Sequence, residues 1–299
     1  MHQRIARSTG ARGHCHSRAG AILSLCILAA PIAAAEDAVL LHRWPADGDA
    51  SDLVGAADGS AIGDIAFEPG RFGLAFRFAR GGAVTLPSPA GEGINGDFTI
   101  SLWCRFESAT PAAILHKGAV CGRGEWYRME SRTDGDLQCS VSDDETGQVA
   151  LLTREADLHN GEWHHVAWRR EGNAQSILVD GCLLVSPTSS EVGHLAIAHE
   201  LTLGGPWCSA DGTRQVPFSG WLDEVRWYAG ALGDASIREL ARGPLVADLT
   251  DDDWVDAADL GHVLGTWGVC GVCCAADLDG SGEVDAADLA MLLDAWSVE

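Results

Sequence analysis

Near its C-terminus the chain repeats one acidic dodecapeptide, DLTDDDWVDAAD at 248–259 and DLDGSGEVDAAD at 277–288. Twelve-residue calcium loops supply oxygen ligands from positions 1, 3, 5, 9 and 12 and from the backbone carbonyl of position 7. Acidic or hydroxyl side chains occupy the side-chain positions in both repeats, so the spacing predicts two Ca²⁺ sites. The predicted ligands are Asp248, Thr250, Asp252, the Trp254 carbonyl, Asp256 and Asp259 in the first loop, and Asp277, Asp279, Ser281, the Glu283 carbonyl, Asp285 and Asp288 in the second.

The second loop is predicted to bind Ca²⁺ more tightly than the first. Gly282, at position 6, can take the left-handed backbone of a sharp turn without steric cost, whereas the first repeat has Asp253 there. Thr250 also replaces a charged ligand by a neutral hydroxyl. Because affinity depends on ligand charge and loop geometry, the two sites are expected to differ.

Each acidic loop is followed by an apolar pattern that predicts a short helix. Residues at i, i+3, i+4 and i+7 lie on one face of a helix, and this spacing occurs in register with both loops. A merely solvated acidic tail would not keep that register. The two stripes, expected to pack against each other, are Leu260, Val263, Leu264 and Trp267, and Leu289, Leu292, Leu293 and Trp296.

Asp at position 12 and a single helix after each loop resemble type I dockerin repeats over residues 247–297. The resemblance implies a small EF-hand-like module, folded by Ca²⁺, that attaches exported proteins to a cohesin-like or cell-surface partner. The chain departs from the pattern at Asp253, where glycine is expected, and in a C-x-x-C-C insertion. Positions 10 and 11, which help to select the cohesin, are Ala257-Ala258 and Ala286-Ala287 and lack hydroxyl groups. Docking within the protein or on an unrelated partner is the alternative.

The preceding residues alternate in polarity over short runs separated by Gly, Asp, Asn and Pro. In FTISLWCRF (98–106) apolar residues recur at every second position, which predicts a half-buried strand. Hairpins are predicted around TDGD (133–136) and Asp180-Gly181, and one helix over Asp234–Ala241. The pattern predicts a mainly β fold, an antiparallel β-sandwich (jelly roll) with a small C-terminal α-helical module.

Four segments in order resemble the LamG-like jelly-roll family, within the concanavalin A/laminin G-type sandwiches, over residues 38–242. They are LLHRWPADGDASDLVG (40–55), GDFTISLWCRF (96–106), NGEWHHVAWRREGNAQSILVDG (160–181) and FSGWLDEVRWYAGALGDASIREL (218–240). The resemblance implies a module that binds a glycan or an extracellular protein. Because some relatives of this sandwich are glycosidases, fold alone does not assign the activity.

No catalytic pair stands out in the sequence. A retaining glycosidase needs two carboxyl groups about 5–5.5 Å apart, and the enzymatic sandwiches that the chain resembles use Glu-x-Asp-x-x-Glu. The nearest stretch, Glu155-Ala-Asp157, lacks the third acid. His164 and His165 are adjacent in a predicted strand and point to opposite faces, so they are not expected to share a ligand. The chain is therefore predicted not to be an enzyme.

Two further features of the sandwich are candidates for ligand binding. The resemblance points to Asp52 and Asp223 as a separate Ca²⁺ site, with hydrogen bonding to turn amides as the alternative. Most tryptophans of this part are predicted to pack in the core. Trp103, on the polar face of its strand, and Trp207, in a Gly/Pro loop, are the candidates for stacking on a sugar ring.

Net charge and the N-terminus restrict where the protein acts. The formal charge of −23 disfavours nucleic acid, and no nucleic-acid partner is expected. A basic stretch, an apolar run over 19–30 and Ala33-Ala34-Ala35 predict a cleaved export signal. The run is shorter than the ~20 residues that cross a bilayer, and no second run follows, so no membrane span is expected after signal removal.

Cysteines are distributed unevenly after the predicted signal. In an oxidising compartment they should largely pair. The two groups, both odd in number, are Cys104, Cys121, Cys139, Cys182 and Cys208 in the sandwich, and Cys270, Cys273 and Cys274 in the tail. Either one bridge therefore links the groups or each keeps a free thiol. A zinc site is the alternative for the C-x-x-C-C cluster.

Three parts are predicted: a signal peptide (1–35), a LamG-like sandwich (36–243) and a dockerin-like tail (244–299). The sandwich is expected to recognise a glycan or an extracellular protein, and the tail to attach it, in an exported protein that is secreted, periplasmic or at the cell surface. The alternatives are a carbohydrate-degrading enzyme component with an unrecognised site and a purely structural envelope protein. A close acid pair on the concave face would favour the enzyme.

Overall fold

The computed structural model of the protein describes residues 38–79, 81–87, 94–118, 124–143, 147–189, 195–205, 217–243, 247–250, 252, 254–271 and 273–297. The predicted signal peptide (1–35), Cys121, Trp207, Cys208 and Asp253 lie outside these residues. Every feature below belongs to Glu36–Glu299, the second of the two units into which the chain divides.

The second unit consists of fifteen strands followed by a helix and a short helical tail. In chain order the strands are β1 (Val39–Trp44), β2 (Ser60–Ile62), β3 (Ile65–Pro69), β4 (Leu74–Phe78), β5 (Ala83–Leu86), β6 (Phe98–Phe106), β7 (Ala113–Gly118), β8 (Trp126–Ser131), β9 (Leu137–Asp143), β10 (Gly147–Leu152), β11 (Trp163–Glu171), β12 (Ala174–Val179), β13 (Cys182–Ser189), β14 (Leu201–Leu203) and β15 (Gly220–Ala229). They are followed by α1 (Asp234–Arg242), α2 (Ala257–Gly265), β16 (Gly268–Val269), β17 (Glu283–Val284) and α3 (Ala286–Asp294).

The strands form two antiparallel sheets that pack face to face. The eight-stranded sheet has the order β13-β12-β11-β6-β15-β4-β3, with β1 paired to β15. The seven-stranded sheet has the order β10-β9-β8-β7-β14-β5-β2. Both predicted hairpins are present, as β8–β9 and β12–β13, and α1 begins at the predicted Asp234. The predicted fold class, a mainly β antiparallel sandwich with few helices, is confirmed.

Strand β6 lies at the centre of the eight-stranded sheet, between β11 and β15. Its inward side chains, among them Ile100 and Leu102, are buried in the main apolar core between the sheets. The prediction that β6 is half-buried is wrong, because the residues of its other face, such as Ser101 and Trp103, are buried too. A second layer therefore covers the outer face of this sheet.

Helix α1 supplies most of that second layer. Ile237 of α1 and Leu232 just before it form a separate apolar cluster with Ala167 and Leu178 of the sheet. Arg169, 8% exposed on β11, donates a hydrogen bond to the Leu232 carbonyl (2.8 Å) and another to a carboxylate oxygen of Asp234 (2.7 Å). These bonds fix the start of the helix on the sheet.

The tail is held together by a small apolar cluster of its own. Val263 of α2 and Leu292 of α3 are fully buried in it, and Leu260 and Leu289 pack against it while partly exposed. Strand β17 of the second loop also pairs with β16, the short strand that follows α2. The two repeats thus bury part of their predicted stripes against each other.

The predicted stripes are wrong at their third position. Leu264 and Leu293 are 55% and 53% exposed, because each lies about 100° around the helix from the buried residue before it. Trp267 is 49% exposed and lies beyond Gly265, where α2 ends. The helical period does not extend past that end.

One disulfide bond joins the two parts of the unit. Cys182, the first residue of β13, is bonded to Cys273 of the tail, across a sequence separation of 91 residues. This is one of the two predicted outcomes, a bridge between the odd groups. The expectation of general pairing is wrong for Cys104 and Cys139, which are free thiols buried in the core. Burial raises the pKa of both thiols, which keeps them unreactive.

Among the described residues no helix has the length and apolar composition needed to cross a membrane.

Shortening a core side chain should destabilise the sandwich strongly. Leu102 on β6 is fully buried, so Leu102→Ala should lower the free energy of unfolding by about 2–5 kcal/mol, measured by urea denaturation. The matched control is Ile62→Ala on β2, where the side chain is 54% exposed and the loss should stay below about 1 kcal/mol. Equal losses in the two variants would contradict the assignment of the core.

Candidate functional site

The second acidic loop brings three carboxylates together. Oxygen atoms of Asp277, Asp279 and Asp288 all lie within 4.8 Å of one another. Among the described residues this is the one such group of His, Cys, Asp or Glu side chains. Gly282 has φ of +90°, the left-handed conformation that the turn at position 6 requires. This oxygen-rich donor set with three carboxylates fits a hard divalent cation such as Ca²⁺.

The last acid of each loop organises the loop backbone. In the second loop Asp288 is fully buried, and its carboxylate accepts hydrogen bonds from the backbone N–H groups of Leu278 (2.6 Å), Asp279 (3.1 Å) and Asp285 (2.8 Å). Asp285 in turn caps α3 by accepting from Ala287 N–H. Hydrogen bonds to Asp285 and Asp288, two of the predicted Ca²⁺ ligands, therefore stabilise the backbone of the loop.

The first loop repeats this arrangement of hydrogen bonds, and its described residues do not form a cluster of three carboxylates. Asp259 is fully buried and accepts from the N–H groups of Leu249 (2.7 Å), Thr250 (3.0 Å) and Asp256 (2.8 Å). These hydrogen bonds outweigh desolvation and lower the pKa of Asp259. Asp248 accepts from Asp252 N–H at 3.2 Å.

Two other predicted Ca²⁺ ligands, Trp254 and Ser281, are exposed or form hydrogen bonds within their own loop. The Trp254 side chain is 55% exposed at the loop surface. Its backbone carbonyl remains its predicted contribution to the Ca²⁺ site. In the second loop the Ser281 hydroxyl donates to the Glu283 carbonyl at 3.0 Å.

Asp52 takes the hydrogen-bonding role that was the alternative to a metal ligand. One carboxylate oxygen accepts from the N–H groups of Arg43 (3.0 Å), Val54 (3.1 Å) and Gly55 (3.0 Å), and the other lies 2.5 Å from Nδ1 of His42. Burial alone would raise the pKa of Asp52, but these hydrogen bonds outweigh burial and lower it to about 2. The Asp52 carboxylate therefore stabilises the turn that follows β1 by hydrogen bonds to its backbone.

Asp223 is separate from Asp52 and occupies the outer face of the eight-stranded sheet. It is fully buried beside Trp103, its partner in register on β6. One oxygen accepts from Phe72 N–H at 2.9 Å, whereas the other has no hydrogen-bond partner among the described residues. Burial raises the pKa of Asp223 to about 7. The two acids share no ligand cluster, and a Ca²⁺ ion between them stays a prediction.

The outer face of the seven-stranded sheet carries a connected polar network. Arg128 pairs with Glu130 at 3.1 Å, and its guanidinium lies 4.5 Å from the ring centroid of Trp126. Gln138 donates to Glu130 (3.0 Å) and to Ser140 (2.8 Å). Desolvation is the main cause that raises the pKa of Glu130, which is 4% exposed. We call these five residues the polar sheet face.

Glu130 has no carboxylate partner on this face. The register of β7 to β10 places polar and small side chains around it, and among the described outward-pointing strand residues of this sheet it is the one carboxyl group. Glu155 and Asp157 lie in a turn with φ of +65° and +48°, outside every strand. Among the described residues, the outer face of the seven-stranded sheet therefore presents no pair of acids on one strand.

The two adjacent histidines point to opposite faces, as predicted. His164, in register with Cys104, binds Asp180 (2.8 Å) and Asn160 (3.0 Å) through its ring nitrogens. His165 is fully buried against Trp103, with ring centroids 5.5 Å apart. Burial lowers the pKa of His165 to about 3, so the ring is neutral. Trp103 itself is 4% exposed and is not the surface platform that its strand position predicted.

Comparison with known proteins assigns the sandwich to a family. The family model described as the concanavalin A-like lectin/glucanases superfamily matches residues 78–238, more than half of the chain. The chain belongs to the concanavalin A-like lectin/glucanase superfamily. The match ends before the tail. No curated protein matches the chain significantly.

Several solved structures share the sandwich architecture of this chain. Domain 4 of AbnA, a GH43 extracellular arabinanase from Geobacillus stearothermophilus in complex with arabinotriose, is 23% identical with a TM-score of 0.57, covering 69% of this chain and all of that one. The binding domain of Paraclostridial Mosquitocidal Protein 1 is 14% identical with a TM-score of 0.55, covering 70% of this chain and 53% of that one. A botulinum neurotoxin type C, whose cell entry depends on two ganglioside molecules, is 15% identical with a TM-score of 0.54, covering 68% of this chain and 50% of that one. The chain thus spans about half the length of the toxin domains. This chain shares its fold with these structures.

Sequence reasoning missed the polar sheet face. Trp126, Arg128 and Glu130 occupy alternate positions of one strand of a predicted hairpin, and that alternation is visible in the sequence. What the sequence does not show is that Gln138 and Ser140 lie opposite them in register. The network exists because of that pairing.

The charge of Asp52 should stabilise the sandwich in a defined pH window. Since its folded pKa is about 2 and its ordinary value 3.8, the stabilisation is complete above pH 4 and is lost as pH falls through 2. Asp52→Asn should therefore lower the free energy of unfolding by about 1–2 kcal/mol near pH 5, and the difference from the wild type should vanish near pH 2. Urea denaturation at both pH values measures this. Asp49→Asn, an exposed change in the same turn, is the control. A pH-independent effect of Asp52→Asn would contradict the argument.

Proposed function

We propose that the protein is an exported, non-catalytic binding protein. Residues 1–35 are its signal peptide, the LamG-like sandwich (36–243) recognises a glycan or an extracellular protein, and the dockerin-like tail (244–299) attaches it to a cohesin-like or cell-surface partner. Membership of the concanavalin A-like superfamily supports the binding role. So do the neighbours, since one is a complex with arabinotriose and another a neurotoxin binding domain in complex with rat synaptotagmin II.

The polar sheet face is the observation that carries the proposal. It combines an aromatic ring, Trp126, with the partly exposed hydrogen-bonding groups of Arg128 and Gln138, and the buried Ser140 holds the Gln138 amide in place. Sugars are bound in this way, by stacking on an aromatic face and by hydrogen bonds to their hydroxyl groups. Glycoside hydrolysis needs two carboxyl groups. Glu130 is the one carboxyl group among the described outward-pointing strand residues of its sheet, and it is paired with Arg128. The arrangement favours binding over cleavage.

The tail is proposed to fold around two Ca²⁺ ions. Asp277, Asp279 and Asp288 would hold the ion of the second loop, with oxygens from Ser281, Glu283 and Asp285. When bound, Ca²⁺ neutralises carboxylates that repel one another at these distances. The chain's own contribution is the hydrogen bonding of Asp288 and Asp259 to N–H groups of the loops, which orders the backbone of both loops.

Removing one carboxylate from each loop should show that the sites are unequal. Asp277→Ala should weaken the tighter site about tenfold or more, because it removes one of three clustered charges, and Asp248→Ala should affect the weaker site. Calcium titration by calorimetry of the chain from Glu36 onward measures both. Asp294→Ala, at the end of α3 and outside the loops, is the control. Greater loss of affinity from Asp248→Ala, or unchanged heats in both variants, would contradict the proposal.

A glycan array followed by two tryptophan variants tests the binding face. Trp126 and Trp221 are both partly exposed and both lie under an arginine, at 4.5 Å and 4.3 Å, but on opposite sheets. Trp126→Ala should weaken glycan binding about tenfold, as expected for the loss of one stacking contact, while Trp221→Ala leaves binding unchanged. The reverse result would move the site to the other sheet. Release of reducing ends from a polysaccharide, lost in Glu130→Gln, would assign the sandwich to the enzyme alternative instead.

A further inference from the structure

A groove of about 640 Å³ lies on the outer face of the eight-stranded sheet, between strand β1 and helix α1. Its volume falls within the range of roughly 300–1,000 Å³ that is typical of small-molecule sites. It is on the opposite sheet from the polar sheet face, and the described residues that line it belong to the sandwich and not to the tail. We call it the β1–α1 groove, and its lining includes Leu40, Arg43, Phe72, Arg226, Tyr228 and Leu240.

Part of the lining is apolar. Leu40 of β1 and Leu240 of α1 pack against the apolar cluster beneath the helix while staying partly exposed. Phe72 is also partly exposed, and its N–H donates a hydrogen bond to Asp223 at 2.9 Å, which fixes this segment on the sheet. Gly243 at the end of α1 leaves room for the Phe72 ring, because a Cβ at that position would collide with it. The ring and the two leucines therefore present a fixed apolar surface to the groove.

A β-bulge in β15 brings a carboxylate to the polar part of the groove. The register of β15 against β6 shifts between Asp223 and Arg226, and Glu224 has φ of +50°. Val225 lies in the core, so the bulge leaves Asp223 and Glu224 together on the outer side of the sheet. A non-glycine residue with a left-handed backbone is uncommon, and such residues cluster at binding sites. The strained residue here is the one that carries the carboxylate.

Two guanidinium groups share the Glu224 carboxylate. Arg43 of β1 donates to one oxygen from Nε (2.8 Å) and to the other from Nη2 (2.6 Å). Arg226 of β15 lies opposite Arg43 in register, and its Nη2 is 2.7 Å from the oxygen that Nε of Arg43 contacts. Because one carboxylate carries a single negative charge, these three side chains together carry one net positive charge.

Arg226 is the arginine of this pair that can take a further partner. Arg43 already bonds both oxygens of Glu224, so Glu224 does not depend on Arg226 for a counter-charge. Among the described residues Glu224 is the one ion-pair partner of Arg226, and the contact uses Nη2. The Arg226 side chain is 15% exposed and lines the groove, which leaves Nε and Nη1 for a ligand. Tyr228, two residues further along the same face, also lines the groove.

One more carboxylate, that of Glu239 on α1, lies at the rim of the groove. It is exposed, and it forms no ion pair with Arg43 or Arg226, which both pair with Glu224. Solvent and salt screen an exposed charge more strongly than a half-buried one. Glu239 should therefore weaken the attraction of an anion to Arg226 without cancelling it.

We propose that the β1–α1 groove binds a small carboxylic acid with an apolar body, its carboxylate held by Arg226 and its body packed between Phe72 and Leu240. Guanidinium groups bind carboxylates through paired charge-assisted hydrogen bonds. One net positive charge beneath the groove suits a ligand with one negative charge better than a dianion. The apolar body contributes by removing the exposed surface of the ring and the leucines from water.

Calorimetry of the chain from Glu36 onward, with octanoate, octanamide and acetate as ligands, tests the proposal. Octanoate should bind at least about tenfold more tightly than the other two, because octanamide lacks the charge and acetate lacks the apolar body. Arg226→Gln should weaken octanoate binding about tenfold or more, and Arg226→Lys should restore part of it. Glu224 keeps both of its bonds to Arg43 in these variants.

Arg77→Gln is the matched control. Arg77 of β4 lies on the same outer face, its side chain is 13% exposed, and it pairs with Glu107 at 2.7 Å, but it does not line the groove. The two variants therefore remove the same charge from a similar ion pair. Equal loss of octanoate affinity in both variants would overturn the proposal, as would octanamide or acetate binding as tightly as octanoate.

Glu239→Gln provides a second test that leaves the fold undisturbed, since the side chain is exposed. Removing this charge from the rim should tighten octanoate binding about twofold or more and leave octanamide unchanged. If Arg226→Gln lowers the melting temperature, this variant decides, and an unchanged affinity for octanoate would overturn the proposal. Failure of these tests leaves glycan binding that depends on Trp126 unaffected, so the two proposals fail separately.

Discussion

The burial of β6 on both faces is the constraint on which the rest of the structure depends. A strand with neighbours on both edges has its backbone hydrogen bonds satisfied, but its side chains must then be covered from above and below. The seven-stranded sheet covers one face. On the other face Thr99, Ser101 and Trp103 need a second cover, and α1, the segment at Phe72 and the tail all lie on that side. The sandwich is therefore a three-layered structure at its centre.

A second regularity is the use of carboxylates as acceptors for backbone N–H groups. Asp52 does this in the first turn, Asp136 accepts from Ala156 N–H (3.1 Å) and Thr153 Oγ1 (3.0 Å), and Asp259 and Asp288 do it in the tail. A hydrogen bond to a charged acceptor is stronger than one between neutral groups, so a few acids can hold long loops. The acidity of the chain is thus partly structural. In the tail the same oxygens remain able to contact a cation, since each has more than one lone pair.

Alternation and turn residues were enough to predict the strands, because both depend on neighbours in sequence. FTISLWCRF, the β8–β9 hairpin and helix α1 all follow such local rules. The position of β6 at the centre of its sheet could not be predicted, since it depends on which distant strands pair with it. For the same reason the sequence wrongly predicts an exposed Trp103. The polar sheet face and the β1–α1 groove arise from register and from packing of α1, which are non-local. The acid spacing of the second loop, in contrast, is local, and the structure brings three of its predicted ligands together.

The Cys182–Cys273 bond has a mechanical consequence. It closes a covalent ring that contains residues 183–272, including β15, α1 and the first acidic loop. Tension applied to the C-terminus passes from Cys273 directly to Cys182 at the start of β13, the edge strand of the eight-stranded sheet. The backbone of residues 183–272 therefore carries no tension. A pulling force between the termini would therefore load β12 before β13, because β13 beyond Cys182 lies inside the ring, and the closing strand of the sandwich keeps its place beside β6.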